Sequence, residues 1–342
     1  MGPNILIVNV NWLGDVLFST PAIRALRKKF PEATLACLAP PRCAEVLRRN
    51  PHLNDVIICP DEDSVLSWPR LAATFFELRK KRFDTAIFFH RSKTKVFMAW
   101  LAGVPERIGY RVGSRIRFLT KSVPEPGTPL HRTDYFLRLL RDLGIPEEGR
   151  TPDFVPSKEA EAQAEALLAD EGVAKRENYV VVHPGGNWDL KRWPVSHFVE
   201  WTRLFRKEFP HKVLVCGTPA ETGLSAGIKS HFKDNGVVSL CGKTSLDVLA
   251  VLLRGAKLLL SNDSGPIHLA ASQRTPIVGV FGPTSDEETG PLSEGGVRIV
   301  KKDVGCQIPC YFRACDTRVC MDWLTPEEVF KKTKELLGEA AR

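Results

Sequence analysis

Residues 4–29 read NILIVNVNWLGDVLFSTPAIRALRKK, and this stretch decides the fold. A continuous apolar run over 4–10 ends in Asn11-Trp12-Leu13-Gly14-Asp15, and an amphipathic stretch over 15–29 follows. Apolar run, glycine turn and apolar residues at helical spacing read as buried strand, tight turn and helix. A dinucleotide-binding unit carries Gly-x-Gly-x-x-Gly at such a turn. That pattern is absent, which disfavours a nicotinamide dehydrogenase. A carboxylate, Asp15, stands at the expected helix start instead. Capping is the commonest job of Asp there, yet the helix dipole also keeps such a carboxylate ionised and able to accept a proton. Cap and catalytic base both stay open on position alone.

Working outward, the same alternation continues with strands over 34–38, 55–59 and 84–89 and helices over 42–49 and 68–81. Further pieces follow before a helix over 132–143. Alternating strands and helices predict an α/β fold with a parallel, doubly wound sheet. Pro146, Pro152 and Pro156, followed by an Ala/Glu-rich helix over 158–171, mark a connection. A second series has strands over 179–183, 212–216, 237–240, 257–261 and 276–281, with helices over 195–209, 220–231, 246–253 and 266–273 and a last helix over 326–340. The expected organisation is therefore a Rossmann-like unit over 1–152, a connecting segment over 153–177, a second Rossmann-like unit over 178–324 and a closing helix over 325–342. A length of 342 residues suits two domains. Two such units are expected to turn the carboxyl ends of their strands toward one central cleft, where ligands of this architecture bind.

Composition narrows the class. Apolar residues make up 43% and charged residues 26%, the balance of a folded globular chain rather than a disordered one. The richest apolar stretch, 246–260, is broken by Arg254 and Lys257, too short a run for a membrane span. Residues 1–10 lack the basic start of a secretory signal, so a cytoplasmic location is expected. Residues 1–150 hold 24 Lys and Arg against 15 Asp and Glu, whereas the remainder holds 24 against 25. The surplus charge of the chain thus sits in its first half, which suits an anionic partner or a merely well-solvated surface. Nine cysteines divide into five scattered residues and a cluster, Cys306, Cys310, Cys315 and Cys320. The cluster lacks the paired spacing of zinc ribbons and is expected to be free thiols.

Three loops of the second half carry the pattern of an anion site. Val182-His183-Pro184-Gly185-Gly186-Asn187 is a strand running into a close-approach loop, with Lys191 and Arg192 just beyond. Ser261-Asn262-Asp263-Ser264-Gly265-Pro266 links a strand to a helix that contains His268. Together with Gly282-Pro283-Thr284 these loops are expected to surround a diphosphate without a metal. Glu221, after Gly217-Thr218-Pro219, stands where a carboxylate can bind ribose hydroxyls. Ordinary structural roles remain open for each: plain turns, Asp263 or Ser264 as a helix cap, His268 as a core histidine, Glu221 as a first-turn acid.

Segments 11–21, 183–194, 242–247 and 262–284 resemble the ADP-heptose:lipopolysaccharide heptosyltransferases, glycosyltransferase family nine, over nearly the whole chain. Trp12-Leu13-Gly14-Asp15, Ala39-Pro40-Pro41-Arg42-Cys43 and the stretch over 102–111 are most similar to the heptosyltransferase II branch. The resemblance implies a GT-B fold with the acceptor on the first domain, ADP-heptose on the second, a last helix crossing back toward the first, and inversion at the sugar carbon. It implies Asp15 as base, Lys191 at the diphosphate, Asp263, Ser264, Gly265 and His268 as donor loop, Glu221 at the ribose, and Lys243 with Thr244 near adenine. Gly185, Gly186 and Asn187 fall beside the donor and Gly14 beside the acceptor. No cofactor and no metal are expected, because Asp61-Glu62-Asp63, the sole Asp-x-Asp, reads as solvated loop. The implied partners are ADP-heptose, a phosphorylated lipid A core and, peripherally, the inner leaflet of the cytoplasmic membrane, with no nucleic acid. Candidates for acceptor contact are Arg107, Arg111, Arg115 and Arg117, and Arg79-Lys80-Lys81-Arg82. Another sugar-nucleotide transferase, heptosyltransferase I, a noncatalytic sugar-nucleotide binder and an epimerase are the alternatives.

Overall fold

The computed structural model describes residues 2–60, 68–175, 177–310, 312 and 314–340. The chain divides into two compact units, Met1–Val155 and Pro156–Arg342. The first runs β1 (Asn4–Val8), α1 (Leu13–Lys29), β2 (Thr34–Ala39), α2 (Pro41–Leu47), β3 (Asp55–Ile58), α3 (Trp68–Lys81), β4 (Thr85–Phe88), α4 (Lys93–Leu101), β5 (Glu106–Tyr110), β6 (Lys121–Val123) and α5 (Arg132–Arg141). Its parallel sheet has the order β3-β2-β1-β4-β5-β6, so the winding reverses between β1 and β4. Ligands of open α/β sheets bind at such a switch point, outside the carboxyl ends of the strands.

Helix α1 shows how this unit is stabilised. It packs on α5 and is buried continuously from Val16 to Ile23. Pro21 lies within it and has no N–H for the Leu17 carbonyl. The Thr20 hydroxyl takes over that carbonyl at 2.7 Å, and Ser19 Oγ donates to Val16 at 2.7 Å. Thr20 Oγ1 also accepts the Asp153 backbone N–H at 2.7 Å, which ties the end of the unit to its first helix.

The second unit runs α6 (Lys158–Asp170), β7 (Tyr179–His183), α7 (Val195–Glu208), β8 (Lys212–Val215), α8 (Thr222–Lys229), β9 (Val237–Ser239), α9 (Leu246–Gly255), β10 (Leu259–Asn262), α10 (Gly265–Ser272), β11 (Ile277–Phe281), α11 (Asp286–Thr289), β12 (Val297–Lys301), α12 (Val319–Asp322) and α13 (Pro326–Ala340). Its sheet order is β12-β11-β10-β7-β8-β9, the same winding with the switch point between β7 and β10. Within the segment read as a connection, α6 packs on α9, and the Ser157 N–H that precedes it donates to Asp247 at 3.1 Å. The closing helix α13 packs on α7 and β12, where Trp201 Nε1 donates to Thr333 Oγ1 at 3.1 Å and Phe330 and Leu336 join the core. Helix α1 begins two residues before the expected start, and β12 was not anticipated, because Arg298 and Lys301 break the apolar run of that edge strand.

Thr20 is fully buried. Thr20→Val should leave the Leu17 carbonyl and the Asp153 N–H unsatisfied and cost about 1–3 kcal/mol. Urea unfolding should show a lower midpoint; an unchanged midpoint would contradict this role.

Candidate functional site

At the switch point of the second unit two loops hang on two adjacent side chains at the end of β10. The buried Asn262 amide donates to the carbonyls of Pro184 at 2.8 Å and Gly185 at 3.1 Å, and accepts the Trp193 N–H at 3.0 Å. Asp263, 5% exposed, accepts Lys191 Nζ at 2.7 Å and the Thr284 hydroxyl at 2.7 Å, both on Oδ2. Arg192 clamps the other side of the glycine loop through two bonds to the Gly186 carbonyl, at 2.9 and 2.6 Å. Lys191 and Asp263 are thus brought together, and Asn262 and Arg192 emerge as positioning residues. Asn262 lies in the 261–266 segment read as part of an anion site, but nothing local shows which loops its amide bonds.

Glu221 is placed differently from the expectation of a ribose contact alone. Its Oε1 accepts the Gly186 N–H at 2.8 Å, while Oε2 accepts the Thr218 N–H at 2.7 Å and the Thr218 hydroxyl at 2.9 Å. Burial pushes this carboxyl up, but the His183 ring at 3.7 Å and the two Thr218 donors outweigh it and hold it well below the usual carboxylate range. It joins the loop after β8 to the glycine loop after β7. That contact explains Gly185, where a Cβ would lie 1.8 Å from Glu221 Oε1. Gly186 is required for another reason, its φ of +151°.

The helix α10 starts beside this pair. Ser264 is its N-cap without a side-chain cap bond, and its hydroxyl lies 3.2 Å from His183 Nδ1. Gly265 opens the helix, and His268 is buried within it. The first-turn N–H groups of such a helix favour an anion. Asn187 is exposed at the mouth of the glycine loop. Lys243 lies apart, with its ammonium on Glu171 and its backbone N–H on the Leu240 carbonyl; Thr244 beside it is half-buried.

In the first unit Asp15 is not the cap of α1. Trp12 occupies that position, and Asp15 is a half-buried residue of the first turn, next to Gly14. The preceding loop is held by two cations that sequence did not reveal: Lys95 Nζ donates to Asn11 Oδ1 at 3.0 Å and Arg42 Nε to the Asn11 carbonyl at 2.7 Å. Arg42 also stacks over Trp12 at 4.7 Å. Of the arginines considered for acceptor contact, Arg115 is 2% exposed and spends its guanidinium on the carbonyls of Tyr110 and His90. Arg107 binds the carbonyls of Phe118, Val104 and Pro105. Both are backbone clamps, whereas Arg111 and Arg117 are exposed. The residues 79–82 lie at the turn from α3 to β4, at the amino edge of the sheet, opposite the edge that carries Asp15. Asp61-Glu62-Asp63 lies outside the described residues. The four clustered cysteines are free and line one cavity of about 480 Å³ together with Leu190 and Pro283.

The depressed Glu221 carboxyl contributes stability that is complete above the ordinary carboxylate range and is lost as pH falls through the folded value. Glu221→Gln puts an NH2 donor in place of one of the two oxygens that together accept three hydrogen bonds. It should cost about 1–3 kcal/mol at neutral pH, and the gap from the parent should narrow below about pH 4. Urea unfolding across pH tests this, and a gap that ignores pH would refute the assignment.

Comparison with known proteins agrees with this geometry. The family description "Glycosyltransferase family 9 (heptosyltransferase)" matches residues 72–315. The lipopolysaccharide heptosyltransferase 2 of Salmonella typhimurium is 26% identical, covering 98% of this chain and 99% of that protein. The lipooligosaccharide heptosyltransferase 2 of Campylobacter jejuni is 33% identical over 46% of this chain and 50% of its own length. Among solved structures, the ADP-heptose lps heptosyltransferase II of E. coli superimposes with a TM-score of 0.80 at 24% identity, covering 99% of this chain and all of that one. The family 9 glycosyl transferase of Veillonella parvula gives 0.86 at 22% identity, covering 98% and 97%. The switch-point loops therefore belong to a GT-B glycosyltransferase, and the chain is a member of glycosyltransferase family 9.

Proposed function

We propose that this enzyme transfers heptose from ADP-heptose to the inner core of lipopolysaccharide, adding the second heptose to heptosyl-Kdo2-lipid A. The observation that carries the donor half is the Lys191–Asp263 pair beside the α10 N-terminus. Support for the sugar comes from relatives named heptosyltransferase 2 over nearly their whole length. In this reading the second unit takes the donor. The diphosphate lies against Gly185, Gly186, Lys191, Ser264 and Gly265, with Glu221, Lys243 and Thr244 toward the nucleoside. The first unit takes the acceptor, with Gly14, Arg111 and Arg117 toward its phosphates.

The chemistry is a single displacement. Asp15 accepts the proton of the acceptor hydroxyl as its oxygen bonds the anomeric carbon, and the bond from that carbon to the diphosphate oxygen breaks. ADP leaves with the electron pair, and configuration inverts. Negative charge grows on the diphosphate, where Lys191 is already held by Asp263 and needs no reorganisation. The acceptor is a membrane glycolipid, so the enzyme works in the cytoplasm, peripherally at the inner leaflet. No described helix is long and apolar enough to cross a membrane.

Asp15→Asn tests this reading, because the change keeps the shape and removes the proton acceptor. Asp15 does not cap α1, so the helix should fold as before. Transfer should fall at least about a hundredfold, with ADP-heptose affinity by calorimetry unchanged. Transfer at the parent rate would remove Asp15 from the chemistry.

A further inference from the structure

Helix α4 is amphipathic in the wrong sense for a helix lying on a sheet. Its inner face buries Val96, Met98 and Ala99, as expected. Its outer face, which ought to be polar, shows Phe97, Trp100 and Leu101 at 37%, 46% and 46% exposure. Phe97, Trp100 and Phe118 form an aromatic cluster with centroids 5.1–5.6 Å apart. On the neighbouring α3, Phe76 is 65% exposed. Phe76, Leu101 and Gly103 line a shallow depression of about 670 Å³ with Arg79, Lys80 and Arg82. Among the described residues these three cations make no ion pair, whereas the adjacent Lys81 is engaged by Asp55 and Glu77.

We infer that this face, aromatic on α4 and cationic at the end of α3, docks the enzyme on an anionic phospholipid leaflet. The inference deepens the membrane-acceptor reading above and rests on it. Trp and Phe settle at the headgroup level while Arg and Lys reach the phosphates. A second copy of the chain is a poorer occupant, since it would set two unpaired cationic rims against each other. The geometry also fits a glycolipid acceptor. Arg79, Lys80 and Arg82 cluster at the amino edge of the first sheet, and Asp15 lies at the carboxyl edge. Strands of four or five residues put about 15 Å between those edges.

The test is sedimentation with vesicles of phosphatidylcholine alone or mixed with phosphatidylglycerol. The parent should bind the anionic vesicles, weakly at high salt, and leave neutral ones largely free. A cation beside such a surface is worth about fivefold in partition, so the combined Arg79→Gln, Lys80→Gln, Arg82→Gln variant should lose roughly a hundredfold. Trp100→Ser should weaken binding separately while transfer to a detergent-dispersed acceptor continues at the parent rate. Brominated lipid should quench parent tryptophan emission more than that of Trp100→Phe, which keeps the fold even where the serine variant does not. Parent-like vesicle binding by both the glutamine and serine variants, equal quenching, or loss of self-association instead of vesicle binding would each overturn the docking face. An enzyme that transfers sugar but ignores vesicles would sink the docking alone, whereas one that docks but transfers nothing would sink the functional reading and leave the surface standing.

Discussion

The second unit of this enzyme depends on the end of one strand. Asn262 and Asp263 are consecutive, buried, and bonded to two separate loops, the β7–α7 connection and the β11–α11 connection. A buried amide or carboxylate without partners is costly, so each of these bonds constrains the loop it reaches. Asn262 fixes the glycine loop and the start of the segment leading to α7; Asp263 fixes Lys191 and Thr284. Because β7 and β10 are neighbours at the switch point, both loops emerge side by side, and the two side chains hold them at one spacing. Glu221 closes the arrangement from β8 through the Gly186 N–H.

The two units solve similar problems with opposite charge. In the second, a buried carboxylate immobilises a lysine, the cation proposed to meet growing negative charge. In the first, two cations immobilise the loop that delivers Asp15. Lys191 is thus held directly by a neighbour of opposite charge, whereas the support in the first unit falls on Asn11, in the loop before Asp15.

Much of this was legible in the residues. Apolar runs alternating with amphipathic stretches point to the doubly wound units, and the missing dinucleotide fingerprint disfavours a nicotinamide dehydrogenase. Gly185, Asp263 and Lys191 stood out because glycine, carboxylate and cation at strand ends have few structural reasons to recur together. What sequence could not show was which partner a long polar side chain would choose. Arg107 and Arg115 look like a binding stripe until folding turns them onto carbonyls. Asp15 resembles a cap when the helix is read from residue 15, and Trp12, the actual cap, offers no side-chain acceptor and so gives no local signal. The inverted face of α4 was equally hidden, since an aromatic run at helical spacing reads as core until the opposite face proves to be the buried one.

The most direct measurement is mass spectrometry of lipid A cores bearing no, one or two heptoses after incubation with the purified enzyme and ADP-heptose. The account predicts that the one-heptose core gains the mass of a single heptose and that ADP is released in equal amount. Failure of all three cores to gain heptose, or release of free sugar with no acceptor modified, would contradict it.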